Sequence, residues 1–250
     1  MLEEQNIIQL QKLRLHGMLS AYERLQQDTQ MQSLSIFENL AFLFESERHY
    51  REEKRLLRDT KSSKLKETDA CLENINYRKH RGLDKSQINT LSSCRWVEQN
   101  QHLTIVGATG VGKTYIASVF SNRAIQLGNK VIYKRVPRLL EETEIARADG
   151  TLPNLRLKLS KFKILVLDDW AVNPISARGC QDLLELIEDK TGTGSIIITS
   201  QLPVNKWHDW LGDPTIADAI LDRIVHRAHH IELHGDSMRK LNGLNSGDNK

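Results

Sequence analysis

One segment of the chain has the residue types and the spacing of a phosphate-binding loop. It matches the pattern G-x-x-x-x-G-K-[ST] at every position and consists of Gly107, Ala108, Thr109, Gly110, Val111, Gly112, Lys113 and Thr114. Glycines let the backbone turn tightly, so that successive N–H groups point at phosphate oxygens. In such a loop the lysine reaches the β- and γ-phosphates, and the threonine hydroxyl is a ligand of Mg²⁺. The sequence therefore predicts a nucleotide site centred on Lys113 and Thr114.

A pair of carboxylates follows an apolar segment further along the chain. Residues 164–167 are all apolar, and Asp168 and Asp169 come directly after them. In open α/β sheets, ligands bind at the carboxyl ends of the strands. We expect Asp168 to hold Mg²⁺, directly or through its water, and Asp169 to polarise the attacking water as the general base. Aspartate has a shorter reach than glutamate, so slow hydrolysis is expected.

The hydrophobic pattern predicts the elements that would position these residues. Short runs typical of strands occur at residues 102–106, 130–134, 163–167, 195–199 and 230–233. Helical patterns lie between them, at residues 114–127, 136–148, 178–189 and 216–226. Strands separated by helices of this length predict βαβ units and a parallel sheet covered on both faces. The predicted fold class is therefore α/β.

The first part of the chain follows a different pattern. Residues 1–77 contain no proline and a single glycine, Gly17. Helical spacing runs through residues 7–22, Ser35 and Glu38 form a capping box that begins a second helix, and a weaker helical piece covers residues 64–74. We therefore expect an all-α domain over residues 1–77, a linker over 78–95, the α/β domain over 96–241 and a disordered tail over 242–250.

The composition excludes several classes of protein. The chain has 250 residues, a formal net charge of +3 and 39% hydrophobic residues, enough for one or two domains. Its apolar runs are far shorter than the roughly 18 residues of a membrane span, and its acidic start is not a secretory signal. Three widely spaced cysteines exclude a disulfide scaffold and a cysteine zinc site, and they fit a reducing cytoplasm. The histidines of residues 226–234 lack ligand spacing, so we interpret them as strand and surface residues.

Several families of nucleotide-binding proteins share these two motifs, and other motifs separate them. The guanine-reading N/T-K-x-D element and the L-S-G-G-Q signature of transporter ATPases are both absent from the sequence. A metabolite kinase stays possible, although no arginine-rich lid lies between the fourth and fifth strands. Instead Ser200 and Gln201 follow the fourth strand, where a polar side chain can orient the lytic water. Arg223 ends a helix just before the last strand, a position typical of an arginine finger that completes a neighbouring subunit's site.

Six segments carry a resemblance to a known family. They are residues 13–18, 81–84, 166–170, 200–208, 218–223 and 235–240. Through them the chain resembles the IstB-like ATP-binding proteins, the transposition helpers encoded beside the transposase in one class of bacterial insertion sequences. These proteins are similar to the DnaC and DnaI helicase loaders of the AAA+ superfamily. One departure is Ala171, where the family usually has glycine, and we expect little consequence from it.

The resemblance implies an AAA+ ATPase core, preceded by the helical domain, that uses ATP and Mg²⁺. It implies a homo-oligomer, dependent on ATP and DNA, that bends double-stranded DNA and recruits and stimulates the transposase of the same insertion element. By the family pattern, Arg223 is the best finger candidate, Arg227 competes with it, and Arg239 is a sensor-2-like residue. A helicase loader, which would prefer single strands, and a monomeric kinase stay as alternatives.

Two groups of basic residues are candidates for binding DNA. Residues 48–66 contain eight Lys or Arg against three Asp or Glu. The candidates in this group are Arg48, Arg51, Lys54, Arg55, Arg58 and Lys61, and a second group after the second strand contains Lys134, Arg135 and Arg138. Such an excess can neutralise phosphates, although a solvated face laced with ion pairs has the same pattern. No base-reading motif is present, so we expect largely sequence-independent binding.

Overall fold

The computed structural model describes residues 2–28, 35–77 and 81–238. The chain divides into two compact units, Met1–Arg58 and Asp59–Lys250. No helix among the described residues is long and apolar enough to cross a membrane. The predicted tail over residues 242–250 lies outside the described part of the chain.

The first unit is helical, as the sequence predicts. It contains α1 (Leu2–Lys12), α2 (His16–Gln27) and most of α3 (Ile36–Ser63). The capping box at the start of α3 is confirmed: the Glu38 carboxylate accepts from the Ser35 N–H at 2.8 Å, and the Ser35 hydroxyl accepts from the Glu38 N–H at 3.3 Å. Between α1 and α2 the chain turns at Arg14, whose φ is 57°.

Helices α2 and α3 approach each other most closely at Gly17. A Cβ atom at this position would lie 2.5 Å from the Ser46 carbonyl oxygen and 2.7 Å from the Glu47 Cα. The buried Glu47 carboxylate accepts from the N–H groups of Gly17 at 2.8 Å and Met18 at 3.1 Å. These N–H groups belong to the first turn of α2 and have no partner within the helix. Glycine is therefore required for both the close approach and this cap.

The prediction of a helical piece over residues 64–74 is wrong, because the chain there forms turns. Helix α3 continues to Ser63 and ends at Lys64, whose φ of 54° is left-handed. Beyond it, the Asn122 side chain donates to the carbonyl oxygens of Thr68 at 3.0 Å and Ala70 at 2.9 Å. These side-chain hydrogen bonds take the place of the helical ones and hold the turns against the second unit's core.

The second unit is built on the predicted parallel sheet. Its strands are β1 (His102–Gly107), β2 (Val131–Arg135), β3 (Ile164–Trp170), β4 (Ser195–Ser200) and β5 (Ala228–Leu233). The strand order is β2-β3-β4-β1-β5, and all neighbours pair in parallel. The strand β1, which leads into the phosphate loop, and β3, which leads into the two carboxylates, both flank β4. Because all strands are parallel, the carboxyl ends of β1 and β3 lie on the same side of the molecule, with only β4 between them.

Helices cover both faces of the sheet. They are α4 (Lys85–Ser92), α5 (Arg95–Glu98), α6 (Lys113–Gln126), α7 (Val136–Ala148), α8 (Leu152–Ser160), α9 (Ala177–Lys190), α10 (Trp207–Leu211) and α11 (Pro214–Val225). The stretch expected to be a linker, 78–95, is described from Arg81 onwards and differs from that expectation. It contains α4, capped by Asp84, and this helix buries Ile88 and Leu91. Two buried residues in eight are too few for helical periodicity to be read from the sequence.

Three of the four tryptophans form a cluster at the end of β3, next to Asp169 in the sequence. Trp170 and Trp207 are fully buried, and Trp210 is half-buried. The Trp170 ring centroid lies 5.4 Å from that of Trp207 and 5.2 Å from that of Trp210. This cluster connects the end of β3 to α10. The three cysteines are free thiols.

Candidate functional site

The phosphate loop connects β1 to the start of α6. Gly107, Gly110 and Gly112 have φ values of 154°, 84° and 100°, a range that side chains with a Cβ rarely adopt. A Cβ at Gly107 would lie only 2.3 Å from the Leu233 carbonyl oxygen, so β5 packs directly against the loop. The Lys113 ammonium donates to the carbonyl oxygens of Gly107 and Ala108, both at 2.8 Å. The loop thus folds around the lysine that the sequence places at its centre.

Asp168 lies at the carboxyl end of β3 and is buried. Its carboxylate accepts hydrogen bonds from three hydroxyl groups, those of Thr114 at 3.0 Å, Tyr133 at 2.5 Å, and Thr199. The structure therefore brings the predicted pair Thr114 and Asp168 together, although they are far apart in the sequence. Their hydroxyl and carboxylate oxygens are the hard donors that Mg²⁺ prefers, so these residues fit a magnesium site.

Sequence reasoning missed the other two hydroxyl groups. Tyr133 lies in the middle of β2, and Thr199 follows three isoleucines near the end of β4. Burial raises the pKa of Tyr133, and its hydrogen bond to Asp168 raises it further, so the hydroxyl stays a proton donor. In each case the signal is a side chain with a hydroxyl group within or directly after an apolar run of a strand. That signal indicates a site only once the strand order places β2 and β4 on either side of β3.

Asp169 has an ion-pair partner that the sequence did not predict. Its carboxylate accepts from the Arg135 guanidinium at 2.6 Å, and its own N–H donates to the Thr199 hydroxyl at 3.3 Å. The register of β2 and β3 sets Arg135 beside Asp168, which accounts for this pairing. The hydrogen bond that Arg135 donates to Asp169, together with the charge of that carboxylate, raises the pKa of Arg135. The candidate general base is thus bound to a residue expected to contact DNA.

The backbone at the end of β3 is strained at two positions. Asp169 and Ala171 both have φ values of 60°, in the left-handed region. Aspartate adopts this region more readily than most residues, whereas alanine has no side-chain hydrogen bond to offset the strain. The expectation that Ala171 has little consequence therefore omits a backbone cost, and glycine suits this position better.

Two further candidates follow β4 and β5. Gln201 is exposed and accepts from the hydroxyl of Thr109, within the phosphate loop, at 2.6 Å. Ser200 instead turns inwards, with its hydroxyl 3.0 Å from the Trp170 carbonyl oxygen. Gln201 is therefore the polar group nearer the phosphate loop. Arg239 lies outside the described residues, so its sensor role stays a prediction.

Arg223 lies near the amino ends of the strands, whereas the phosphate loop follows the carboxyl end of β1. It is near the end of α11, which leads into the start of β5, and its guanidinium donates to Glu188, near the end of α9, at 2.8 Å. A second hydrogen bond goes to the Ala219 carbonyl oxygen at 2.8 Å. Arg227 is exposed. The structure does not bring either arginine to the phosphate loop of its own chain, so the finger assignment stays a prediction.

The first group of basic residues lies on α3 and is laced with ion pairs. Arg48 pairs with Glu45 and, at 3.5 Å, with Glu52, while Arg51 pairs with Glu47 at 2.6 Å. The remaining candidates of this group on α3 are Lys54, Arg55, Arg58 and Lys61. The structure thus shows some of the ion pairs that are expected of a solvated face. DNA binding by this group stays a prediction.

The second basic group surrounds the end of β2. Lys134 forms an ion pair with Glu142, and Arg135 pairs with Asp169 as described. Arg138 is exposed, one turn into α7. Two of the three basic residues of this group therefore already bind carboxylates in the structure.

Comparison with known sequences finds relatives that are named as proteins of insertion sequences. The family described as IstB-like ATP binding protein matches residues 8–246. A protein of Sinorhizobium fredii, named as an insertion sequence ATP-binding protein, is 39% identical over 96% of this chain and 98% of its own length. The IS1162 ATP-binding protein of Pseudomonas fluorescens is 41% identical over 81% of this chain and 88% of its own length.

Comparison with solved structures identifies the fold. DnaI has a TM-score of 0.57 at 19% identity, over 66% of this chain and 91% of its own. AMPPCP-bound DnaA from Aquifex aeolicus also has a TM-score of 0.57, at 18% identity, over 72% of this chain and 56% of its own. The predicted AAA+ P-loop NTPase core is therefore confirmed. The sequence matches extend over nearly the full chain, and the chain belongs to the family of IstB-like ATP-binding proteins.

Proposed function

We propose that this protein is a Mg²⁺-dependent, cytoplasmic ATPase that assembles as a homo-oligomer on double-stranded DNA and bends it. In this proposal the assembly recruits and stimulates the transposase of the same insertion element, and hydrolysis resets it. The observation that carries the proposal is the pairing of Thr114 with Asp168, at 3.0 Å, directly beside the phosphate loop. Relatives named as insertion sequence ATP-binding proteins support the link to transposition.

The chemistry follows from the positions of five side chains. The glycine-rich backbone and Lys113 would bind the β- and γ-phosphates, with the N-terminus of α6 adding a favourable dipole. Thr114 and Asp168 would hold Mg²⁺, which neutralises charge that develops on the phosphates. Asp169 would accept the proton of the attacking water, and Gln201, already in contact with the loop, would orient that water.

The Arg135–Asp169 pair supports a dependence of hydrolysis on DNA. The guanidinium donates to one carboxylate oxygen at 2.6 Å, so it occupies space that an attacking water would need beside that oxygen. Both side chains are partly exposed, and exposed ion pairs are worth only about 0.2–1 kcal/mol. A DNA phosphate can therefore compete for Arg135. Once Arg135 binds the phosphate, Asp169 is released to act as the base.

ATP turnover with and without long duplex DNA tests this proposal. We expect duplex to raise turnover of the wild-type protein and Lys113→Ala to abolish it. Arg135→Gln should raise turnover in the absence of DNA and reduce the further stimulation by duplex, whereas Arg178→Gln, which changes an exposed arginine, should behave as wild type.

Four outcomes would contradict the proposal. ATP turnover that does not depend on Lys113 would contradict the assignment of ATPase activity to this site. Unchanged DNA stimulation in Arg135→Gln would remove the coupling through Asp169. A preference for single-stranded DNA would favour a helicase loader, and a monomer indifferent to both nucleic acids would favour a metabolite kinase.

A further inference from the structure

Arg81 is buried beside the phosphate loop, and its hydrogen-bond partners are neutral. It is 8% exposed, and its guanidinium donates to the carbonyl oxygens of Asn76 at 2.8 Å and Val111 at 2.6 Å. A Cβ at Gly112 would lie 2.8 Å from the Arg81 Nη2 atom, so the guanidinium lies directly against the loop. Among the residues that the structure describes, Arg81 forms no ion pair with a carboxylate.

The position of Arg81 is fixed by its surroundings before any ligand binds. Its carbonyl oxygen accepts from the His234 N–H at 3.0 Å, at the end of β5. A Cβ at Gly82, the next residue, would lie 2.6 Å from the Glu232 carbonyl oxygen, so the chain passes β5 at very short range. Two carbonyl oxygens thus hold the Arg81 side chain, and the contacts with β5 and the residue that follows it hold the backbone. Little conformational entropy would be lost when this guanidinium binds an anion.

A buried cation with only carbonyl partners is unfavourable unless an anion joins it. Removing a guanidinium from water costs several kcal/mol, and two carbonyl dipoles offset only part of that cost. The lowered pKa of Arg81, which results from its burial, is consistent with this deficit. Arginine also presents planar donors that match phosphate oxygens well. A phosphate group therefore has the charge and the geometry that suit the Arg81 guanidinium at this position.

We propose that Arg81 is a second cation of the nucleotide site and binds the phosphate groups together with Lys113. The two cations contact different parts of the loop: Lys113 contacts the carbonyls of Gly107 and Ala108, and Arg81 that of Val111. Arg81 reaches the loop from the segment that precedes α4, outside the α/β core. The inference rests on the proposed ATP site, and it assigns part of that site's affinity to this flanking segment.

Binding of fluorescent methylanthraniloyl ATP, ADP and AMP to the full chain tests this role. Charge-assisted hydrogen bonds are worth about 1.5–3 kcal/mol, so Arg81→Gln should weaken ATP and ADP binding by about tenfold or more. The loss should be smaller for AMP, which carries fewer phosphates. Arg81→Lys should recover part of the affinity because it restores the charge. The matched control Arg95→Gln, at an exposed arginine, should bind all three nucleotides as wild type does.

Thermal unfolding without nucleotide separates this role from a structural one. Arg81→Gln removes a buried charge and keeps an amide donor, so the ligand-free Tm should not fall. If Arg81 only ties the preceding segment to the loop, the ligand-free Tm will fall and the three nucleotides will lose affinity equally. That result, or wild-type ATP affinity in Arg81→Gln, overturns the inference. Failure of the wild-type protein to bind any nucleotide would instead overturn the proposed ATP site.

Discussion

Asp168 is held by hydroxyl groups from three different elements. Thr114 comes from α6, Tyr133 from β2 and Thr199 from β4. Thr114 and Asp168 would hold Mg²⁺, whereas the hydroxyl groups of Tyr133 and Thr199 hold the same carboxylate from the neighbouring strands. Tyr133 and Thr199 therefore position the carboxylate, and they determine how readily it turns towards the metal.

Replacing Tyr133 by phenylalanine tests this positioning role. The change removes one hydrogen bond to Asp168, worth about 0.5–1.5 kcal/mol. We expect the Mg²⁺ concentration for half-maximal nucleotide binding to rise about three- to tenfold, with little change in binding at saturating Mg²⁺. A Mg²⁺ titration of fluorescent ATP binding measures both quantities. Tyr22→Phe is the control, and an unchanged Mg²⁺ requirement in Tyr133→Phe would exclude the role.

Ala171→Gly should stabilise the protein. The φ of 60° strains alanine by about 1–2 kcal/mol, whereas the greater freedom of glycine in the unfolded chain costs about 0.4–1 kcal/mol. The net gain in the free energy of unfolding is about 0.5–1 kcal/mol, measurable by urea denaturation. Ala41→Gly, at an exposed position within α3, should instead destabilise by a similar amount. A loss of stability in Ala171→Gly would show that the strain is relieved elsewhere.

At the residue scale, the sequence supports only part of the site. The phosphate loop and the Asp168–Asp169 pair could be predicted because each motif is local. Tyr133, Thr199 and the ion pair between Arg135 and Asp169 depend on which strands are neighbours, and a single sequence contains no direct record of strand order. The buried position of Arg81 depends on the path of a segment that was expected to be a linker.

The next scale is that of helices and strands, where Gly17 is the most constrained position. In Gly17→Ala, the new Cβ would collide with backbone atoms of α3 at 2.5 and 2.7 Å. Overpacking of this kind costs about 1–3 kcal/mol, so the first unit should unfold at a lower denaturant concentration. Limited proteolysis within residues 1–58 provides a measure specific to this unit. Ser20→Ala, on an exposed position of α2, should have no such effect.

Glu47 makes the same helix pair sensitive to acid. Burial alone would raise its pKa, but the hydrogen bonds from Arg51, Met18 and Gly17 outweigh burial and lower it. A lowered pKa in the folded state means that the ionised form stabilises the fold above the unfolded pKa. This contribution is lost as the pH falls through the lower, folded value. Glu47→Gln should therefore be less stable than wild type at neutral pH, and this difference in stability should disappear in acid. Unfolding followed by far-UV circular dichroism measures it, and a difference that does not change with pH would contradict the assignment.

The accuracy of the predicted elements followed their length and pattern. The strands and the helices α6, α7, α9 and α11 were expected within a few residues of their bounds, because each has a sustained apolar face or run. Helices α4 and α5 are short, and their apolar residues show no period. Residues 64–74 have helical composition, but the left-handed Lys64 and the hydrogen bonds from Asn122 select turns. Tertiary contacts thus decided the outcome in the short elements.

At the scale of the whole molecule, the phosphate loop lies at the carboxyl ends of the strands and Arg223 lies near their amino ends. A residue near the amino ends can complete the nucleotide site only if it comes from a second copy of the chain. We expect Arg223→Ala to lower ATP turnover at least about 100-fold in the assembled protein and to spare nucleotide binding, since arginine fingers are worth about 10³–10⁵ in rate. Loss of its ion pair with Glu188, which is partly exposed, should have little effect on stability.

Mixing two inactive variants tests whether this arginine acts between subunits. Lys113→Ala keeps its arginines, and Arg223→Ala keeps its phosphate loop, so some interfaces of a mixed oligomer contain both intact parts. We expect turnover to reappear on mixing. If Arg223→Ala is active and Arg227→Ala shows this behaviour, the finger is Arg227. If neither variant is complemented, hydrolysis is completed within one chain.

The burial of Trp170 has a spectroscopic consequence. It directly follows Asp169, is fully buried, and has an indole N–H without a hydrogen-bond partner among the described residues. Two more indole rings lie within 5.4 Å, so the three chromophores are close enough to couple electronically. Strand β3 thus carries its own optical reporter. Near-ultraviolet dichroism and blue-shifted emission can follow the end of β3 through a turnover cycle without any added label.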